Sequence, residues 1–443
     1  MLAIVPTPRS EPTRRSARMG VTMLLSAQLA LVACSSTKST TSNTANAPTS
    51  STSSTTVRPR GNVDGVLRVG VLLPRTGAAA SLGLPAIEGA RLAQKTINDA
   101  GGVLGHPVEI SVRDEGSDLA TASESLGQLL DDDVDAVIGP ASSKNLLAMS
   151  ARLVSSGVLT CSPTASTSAV TTLATNHLFF RTMPADVMEA SALSQAFGPT
   201  GRGSIAILYP DDGYGERMRD ALRAQLASTG VRVTSAVSYD NTASNADDAV
   251  VAALAGKPES VLVVGVEGPG GLVISSLRAH QPDPAQLAIF VTSGMRRADL
   301  YQQVPPGRPD VVAGIIGVSP ASNVESADWF AKAFKAFSPT SPIDYASYAY
   351  DCMNLIALSA AAALTDQPAA IGAQMEATSR GGAPCHDFAA CIDLAGQHRN
   401  IDYDGASGPV DLQANGDVDS GWFDVFAFDA AGRDTRMSQL LGG

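Results

Sequence analysis

Apolar positions follow two rhythms along this chain, and each predicts a different kind of element. Short β-branched runs such as Val134–Ile138 and Val158–Thr160 suit strands buried on both faces. Between them, Leu146, Leu147, Ser150, Leu153 and Val154 fall on one side of a helix. Residues 134–166 therefore predict strand, polar turn, helix, strand, polar turn. Such a parallel βαβ unit returns right-handed, so both strand C-termini open on one edge. That edge carries Gly139-Pro-Ala-Ser-Ser143 and Ser162-Pro-Thr-Ala-Ser166. Hydroxyls and backbone N–H groups at a helix start attract carboxylates, and open α/β sheets bind ligands outside their strand C-termini. Two ordinary helix caps are the plainer alternative.

The same alternation extends both ways. Upstream it predicts a strand at Val66–Leu73, a helix from about Pro85 to Ala100 closed by Gly101-Gly102, a strand at Val108–Arg113 and a helix at Ala120–Asp131. Leu178–Thr182 is extended, and Pro184 and Asp186 open the next helix. A second α/β series follows: strands at Ser204–Leu208, Val231–Val237, Val261–Val264 and Leu287–Val291, with helices at Glu216–Ser228, Asp247–Leu254 and Gly271–His280. Val311–Val318 carries the chain back, and amphipathic helices are expected near Ser326–Phe337 and Tyr345–Leu364. Strands at Ile401–Leu412 and Trp422–Phe428 flank a tight turn at Asn415-Gly-Asp417. At 443 residues a single core is exceeded. Two lobes are expected: 64–182 with 313–400, and 183–312 with 401–443.

Residues 1–33 change the picture of where the protein works. Arg14, Arg15 and Arg18 precede an apolar stretch, Met19 to Val32, that ends in Leu31-Val-Ala-Cys34. This resembles the bacterial lipoprotein signal, with Cys34 as the lipidated residue; an ordinary cleaved signal or an anchor is the alternative. Between Ser35 and Thr56, 16 of 22 residues are Ser or Thr, which cannot build a core. Residues 34–63 read as a flexible tether spanning on the order of 30 Å.

Composition excludes more than it selects. The formal charge is −12, and the basic leader leaves −15 on the remainder, which disfavours a nucleic-acid partner. His106, His177, His280, His386 and His398 are scattered without metal spacing. Ser35-Ser-Thr-Lys38 lies in the tether, where it cannot form a catalytic site, and no P-loop or complete dinucleotide motif occurs. No enzyme activity, cofactor or metal is expected. Four cysteines remain beyond Cys34, an even number that an oxidising compartment would pair. Cys385 and Cys391, six apart in a loop with little else to order it, are expected to pair. Cys161 and Cys352 then pair or stay reduced.

The motifs LRVGVLLPRTG, IEGARLAQKTIND, VIGPASS, SPTAS, FFRTMPAD, ILYPDDGYGE and YDGASGPVDLQANGD stand in this order between Val66 and Asp429. The chain thereby resembles the substrate-binding proteins of branched-chain amino acid ABC transporters. That resemblance implies the periplasmic binding protein type I fold, α/β, with two Rossmann-like lobes joined by a three-strand hinge. By position, it makes Ser143, Thr164 and Ser166 the groups that hold a ligand carboxylate, and Tyr214 the aromatic that covers the ligand. Leu82 stands where an aromatic is common, and nothing acidic stands at Gly294-Met295. The expected partner for a ligand ammonium is then Asp186 or Glu267.

The expectation is an extracytoplasmic, membrane-tethered lipoprotein that delivers a small polar solute, an amino acid or relative, to an ABC permease. A sensor for amides or urea compounds is the competing class. The want of a transmembrane helix or signalling domain after Asp429 favours transport.

Overall fold

The computed structural model describes residues 63–443 except 78, 241, 266–268, 284, 298–299, 306 and 323. The leader, Cys34, most of the tether and Glu267 lie outside the described residues.

The first sheet is built as the periodicity predicts. It comprises β1 (Arg68–Leu73), α1 (Ala80–Asp99), β2 (Glu109–Asp114), α2 (Leu119–Asp131), β3 (Ala136–Ile138), α3 (Ser143–Ser156), β4 (Leu159–Ser162) and β5 (Phe179–Arg181). Its strands are parallel in the order β2-β1-β3-β4-β5. Both faces are buried. Val69, Val71, Ile138 and Cys161 join one core, whereas Leu72, Val137 and Phe179 join the other, against α2 and α3. That two-sided burial is why the strands read as unbroken apolar runs.

The chain then crosses to a second sheet through α4 (Asp186–Phe197). This sheet adds β6 (Ser204–Pro210), α5 (Gly213–Ala227), β7 (Arg232–Tyr239), α6 (Asp247–Leu254), β8 (Ser260–Val263), α7 (Pro269–His280), β9 (Ala288–Val291), α8 (Leu300–Gln303) and β10 (Ile316–Pro320). It returns through α9 (Val324–Phe337), α10 (Ala346–Ala363), α11 (Pro368–Thr378), β11 (Ala383–Cys385), α12 (Phe388–Gly396), β12 (Ile401–Gly405) and β13 (Gly408–Pro409). A last passage leads to β14 (Gly421–Phe428) and β15 (Asp434–Gly442). The second sheet runs β15-β14-β10-β9-β8-β6-β7, parallel from β7 to β10 and antiparallel beyond.

Two expected lobe limits move. β10 pairs with β9 and β14, so the second passage follows Pro320 and not residue 313. β12 pairs with β11, so the third passage follows Pro409 and not residue 401. An apolar run announces a strand without naming the sheet that will take it.

The helix read as amphipathic, α10, is buried at every residue from Ala346 to Ala360. Small side chains let α1 and α11 pack closely on it, and the Phe330 ring of α9 meets the Tyr350 ring at 5.4 Å. Asp351 sits in that dry interior and accepts from Tyr403 Oη (2.8 Å), Ala406 N (2.7 Å), Ser407 N (2.8 Å) and Ser407 Oγ (2.5 Å). These four donors fix the loop after β12 and satisfy a carboxylate that burial would otherwise forbid. α11, β11, α12 and β15 lacked a sequence expectation. α11 carries only Gln374 and Glu376 among its longer polar residues, so it shows no helical period.

Both disulfides form: Cys161–Cys352 with Cα atoms 5.8 Å apart, and Cys385–Cys391 at 5.3 Å. The first closes 191 residues of sequence and the second six. On a chain-entropy account the longer loop contributes about 3 kcal/mol more. Urea unfolding of the Cys161→Ala/Cys352→Ala pair should therefore show a loss larger than that of Cys385→Ala/Cys391→Ala by about this amount. Equal losses would contradict it.

Burial, only partly offset by its donors, raises the Asp351 carboxyl to about 6. Burial likewise raises Asp135, which accepts from Arg68 N at 2.8 Å, to about 7. A folded-state pKa above the unfolded value means that the native state binds more protons across this window. Stability from these two groups is full below the ordinary carboxylate range and is lost as pH rises through 6 to 7. Asp114, held near 2 by four hydrogen bonds against burial, acts in the opposite sense only at lower pH. Calorimetry should thus show a melting temperature that falls from pH 4.5 to pH 7.5, and Asp351→Asn should flatten part of that slope while lowering stability overall.

Candidate functional site

The first turn follows β3. Gly139 has φ +118°, and a Cβ there would lie 2.0 Å from Leu72 O, so only glycine lets the chain pass this close to β1. Ser142 caps α3, accepting from Asn145 N at 3.3 Å. Glu115, fully buried just past β2, accepts from Ala141 N (2.7 Å), Ser142 N (3.1 Å) and Asn145 Nδ2 (2.8 Å). Two of the N–H groups at this helix start, those of Ala141 and Ser142, are therefore held by a carboxylate of the protein itself. Burial raises the Glu115 pKa, and the three donors oppose that rise. Ser143 Oγ accepts from Thr167 N at 3.4 Å, which leaves its own proton to donate.

The second turn follows β4 and is bonded to the first. Ser162 Oγ donates to Pro140 O at 2.8 Å and accepts from Ala165 N at 3.1 Å, and Thr164 Oγ1 donates to Ala141 O at 3.0 Å. Arg181, fully buried at the end of β5, supports this turn from behind. Its Nη1 reaches Thr167 O (2.8 Å) and Ala165 O (3.3 Å), its Nη2 Thr171 Oγ1 (3.1 Å), and its Nε Asp417 Oδ1 (2.8 Å). The turn at 413–417 supplies that aspartate, and Gly416 O accepts from Arg181 N. Ser166 stays partly exposed, and its carbonyl accepts from Asp186 N at 2.8 Å.

Asp186 opens α4 and is 1% exposed. It does not cap the helix; the cap position is Ala185. Asp186 Oδ1 accepts from Ser168 N at 3.1 Å, while Oδ2 is buried without a partner among the described residues. Burial raises its pKa, against Ser168 and the charges of Arg181 and Arg217.

Glu189, one turn further, was not anticipated. It is 4% exposed and accepts from Ser293 N (2.6 Å) and Ser293 Oγ (2.9 Å). Burial first, and then the Asp186 charge, lift it to about 7 against those donors. A carboxylate thus does stand beside the end of β9, where residues 294–295 offer none, but it arrives from α4. The signal was present: Asp186 and Glu189 share one helix face three residues apart.

Tyr214 lies in the first turn of α5, whose cap Asp212 accepts from Gly215 N at 2.8 Å. Burial carries its hydroxyl well above the ordinary tyrosine range, and the charges of Glu189 and Asp186 push the same way. Tyr345, at φ +61° before α10, also feels Glu189, and burial pushes it up to about 12. Ser143, Thr164, Ser166, Asp186 and Tyr214 thus come together with Glu189 and Tyr345. Leu82 lies in the first turn of α1, half-buried beside the main core, and Glu267 is outside the described residues. The assembled groups offer hydroxyl donors for an anion, an unpaired carboxylate oxygen for a cation, and aromatic walls.

Residues 66–410 match the family described as Periplasmic binding protein. A chemotactic signal transduction system substrate-binding protein, BasB, of Halobacterium salinarum is 26% identical over 78% of this chain and 83% of its own. Leu/Ile/Val-binding protein homolog 1 of Brucella abortus is 27% identical over 70% of this chain and 81% of its own. Among solved structures, the branched-chain amino acid transporter binding protein LivJ of Streptococcus pneumoniae, in complex with isoleucine, superposes with a TM-score of 0.67 at 18% identity, over 85% of this chain and 99% of that one. A Rhodopseudomonas palustris solute-binding protein in complex with benzoate gives 0.63 at 20%, over 85% and 96%. With two largely parallel sheets, three passages between them and a family match over most of its length, the chain belongs to the periplasmic binding protein family.

Proposed function

We propose that this protein is an extracytoplasmic solute-binding lipoprotein that captures an amino acid or a close relative between its lobes and delivers it to an ABC permease. One observation carries the choice of ligand: Asp186 Oδ2, buried and unpartnered among the described residues, beside turns that present Ser143 and Ser166. An amino acid brings an ammonium to the first and a carboxylate to the second, which removes the cost of a buried, unsatisfied charge. Benzoate, bound by one structural relative, has no group for Asp186. The named ligands of the Brucella and Streptococcus proteins support the same class. A sensory role is the second reading, favoured by the chemotactic name of the Halobacterium relative; ligand capture would be identical.

In this reading Tyr214 adds the second lobe's contact on closure. Calorimetry with an amino-acid panel should show Ser143→Ala weakening binding by about 1–3 kcal/mol, through one lost hydrogen bond to a charged group, in a protein that still melts cooperatively despite the lost Thr167 N contact. Small-angle scattering should show Tyr214→Ala compacting less on ligand addition. Unchanged affinity in both variants would place the pocket elsewhere.

Anchoring is a separate part of the proposal and rests on Leu31-Val-Ala-Cys34. Cys34→Ala should release the protein from membranes or block its processing. Membrane attachment and mature mass that stay the same would rule the lipid anchor out.

A further inference from the structure

Arg217 is a positive group that the contacts above leave unused. It lies four residues after Gly213 and three after Tyr214 on α5, so the three share one helix face at the start of the helix. A Cβ at Gly213 would come within 3.1 Å of Arg217 Nη1, which shows the guanidinium folded back toward the helix N-terminus. Residue 213 is a glycine, and the space is left to the guanidinium.

Arg217 Nε is buried with no hydrogen-bond partner among the described residues. The side chain forms no ion pair among those residues either, unlike Arg219 on the same helix, which holds Asp220 at 2.8 Å and Tyr209 Oη at 2.9 Å. Its charge nevertheless acts on Asp186, at the start of α4, the helix that α5 packs against. A carboxylate oxygen, Asp186 Oδ2, and a guanidinium nitrogen, Arg217 Nε, are therefore both buried and both without a hydrogen-bond partner among the described residues. Each such group costs free energy until a partner arrives.

Resting on the amino-acid reading above, the assignment of charges leaves one choice. The hydroxyls of Ser143 and Ser166 take the α-carboxylate and Asp186 takes the ammonium, so a third group of the ligand must meet Arg217. We infer that Arg217 is a specificity-determining residue that selects an amino acid whose side chain ends in a carboxylate, rather than an aliphatic one. A planar guanidinium takes a carboxylate through two parallel hydrogen bonds. An amide side chain offers one acceptor and binds less well. A branched aliphatic side chain leaves Arg217 Nε buried and unpaired, and is penalised for it.

The test is calorimetry on the full chain with L-glutamate, L-aspartate, L-glutamine and L-leucine, for the wild type and for Arg217→Met and Arg217→Lys. The expected result is an acidic amino acid bound about 10- to 100-fold more tightly than leucine, the ratio that one charge-assisted pair gives. Arg217→Met should abolish that preference while leucine affinity holds or rises, and Arg217→Lys should restore part of it. Leucine bound as tightly as glutamate by the wild type would overturn the role of Arg217 and leave the amino-acid reading standing. Loss of all ligands alike in Arg217→Met would overturn it too, by showing a structural role, with a thermal melt to confirm folding. A wild type that binds none of the four would sink both this inference and the reading it rests on.

Discussion

Arg181 is fully buried in the first sheet, and removing a guanidinium from water costs several kcal/mol unless its donors are met. Here all three nitrogens are used: one on Asp417, one on two carbonyls of the second turn, one on Thr171. The pair is therefore less a source of stability than a means of specifying geometry. It ties β5, the turn at 162–168 and the returning chain at 413–417 into one object. Gly416 makes the approach possible, because a Cβ there would lie 2.0 Å from Phe179 O. The site's second turn keeps its form only while the last passage between the sheets is in place, although 236 residues separate the two ionic partners.

Glu115 does for the first turn what Arg181 does for the second. A helix start attracts a negative charge, and here the protein supplies that charge at the rear of α3. The consequence is directional. With Ala141 N and Ser142 N occupied from behind, what the turn presents forward is the Ser143 hydroxyl. On the proposed reading a ligand anion meets side-chain donors in place of a bare helix terminus, and the two turns are cross-bonded through Ser162 and Thr164.

Much of the fold was legible because parallel strands buried on both faces write themselves as apolar runs, and the Cys385–Cys391 spacing wrote itself in the same local way. What failed to show was non-local. Nothing in Asp114-Glu-Gly says that Glu115 will reach residues 141–145. Strand β10 has the same composition whichever sheet receives it, so the limit at residue 313 was misplaced. Cys161 and Cys352 were left open because a separation of 191 residues carries no geometric hint. Arg181 inside Phe179-Phe-Arg was a visible signal of a buried charge, as was the Asp186/Glu189 spacing; both needed the structure to supply their partners.

The first passage between the sheets is fastened at both ends. Thr182 Oγ1 donates to Tyr348 O at 2.9 Å on α10, and Asp186 is held by Ser166 O and Ser168 N. Asp186 is thereby tied to the turn at 166–168, while α5 packs against the helix that Asp186 opens. On the proposed reading this divides the labour between ligand contacts. Asp186 and Ser143 hold their places whether the lobes are open or closed, and add affinity to both states alike. Tyr214 and Arg217 reach the ligand only in the closed state, so theirs is the differential affinity, and a ligand shifts a conformational equilibrium by that difference alone. On that reading, capture belongs to the cross-bonded turns and closure to the face of α5.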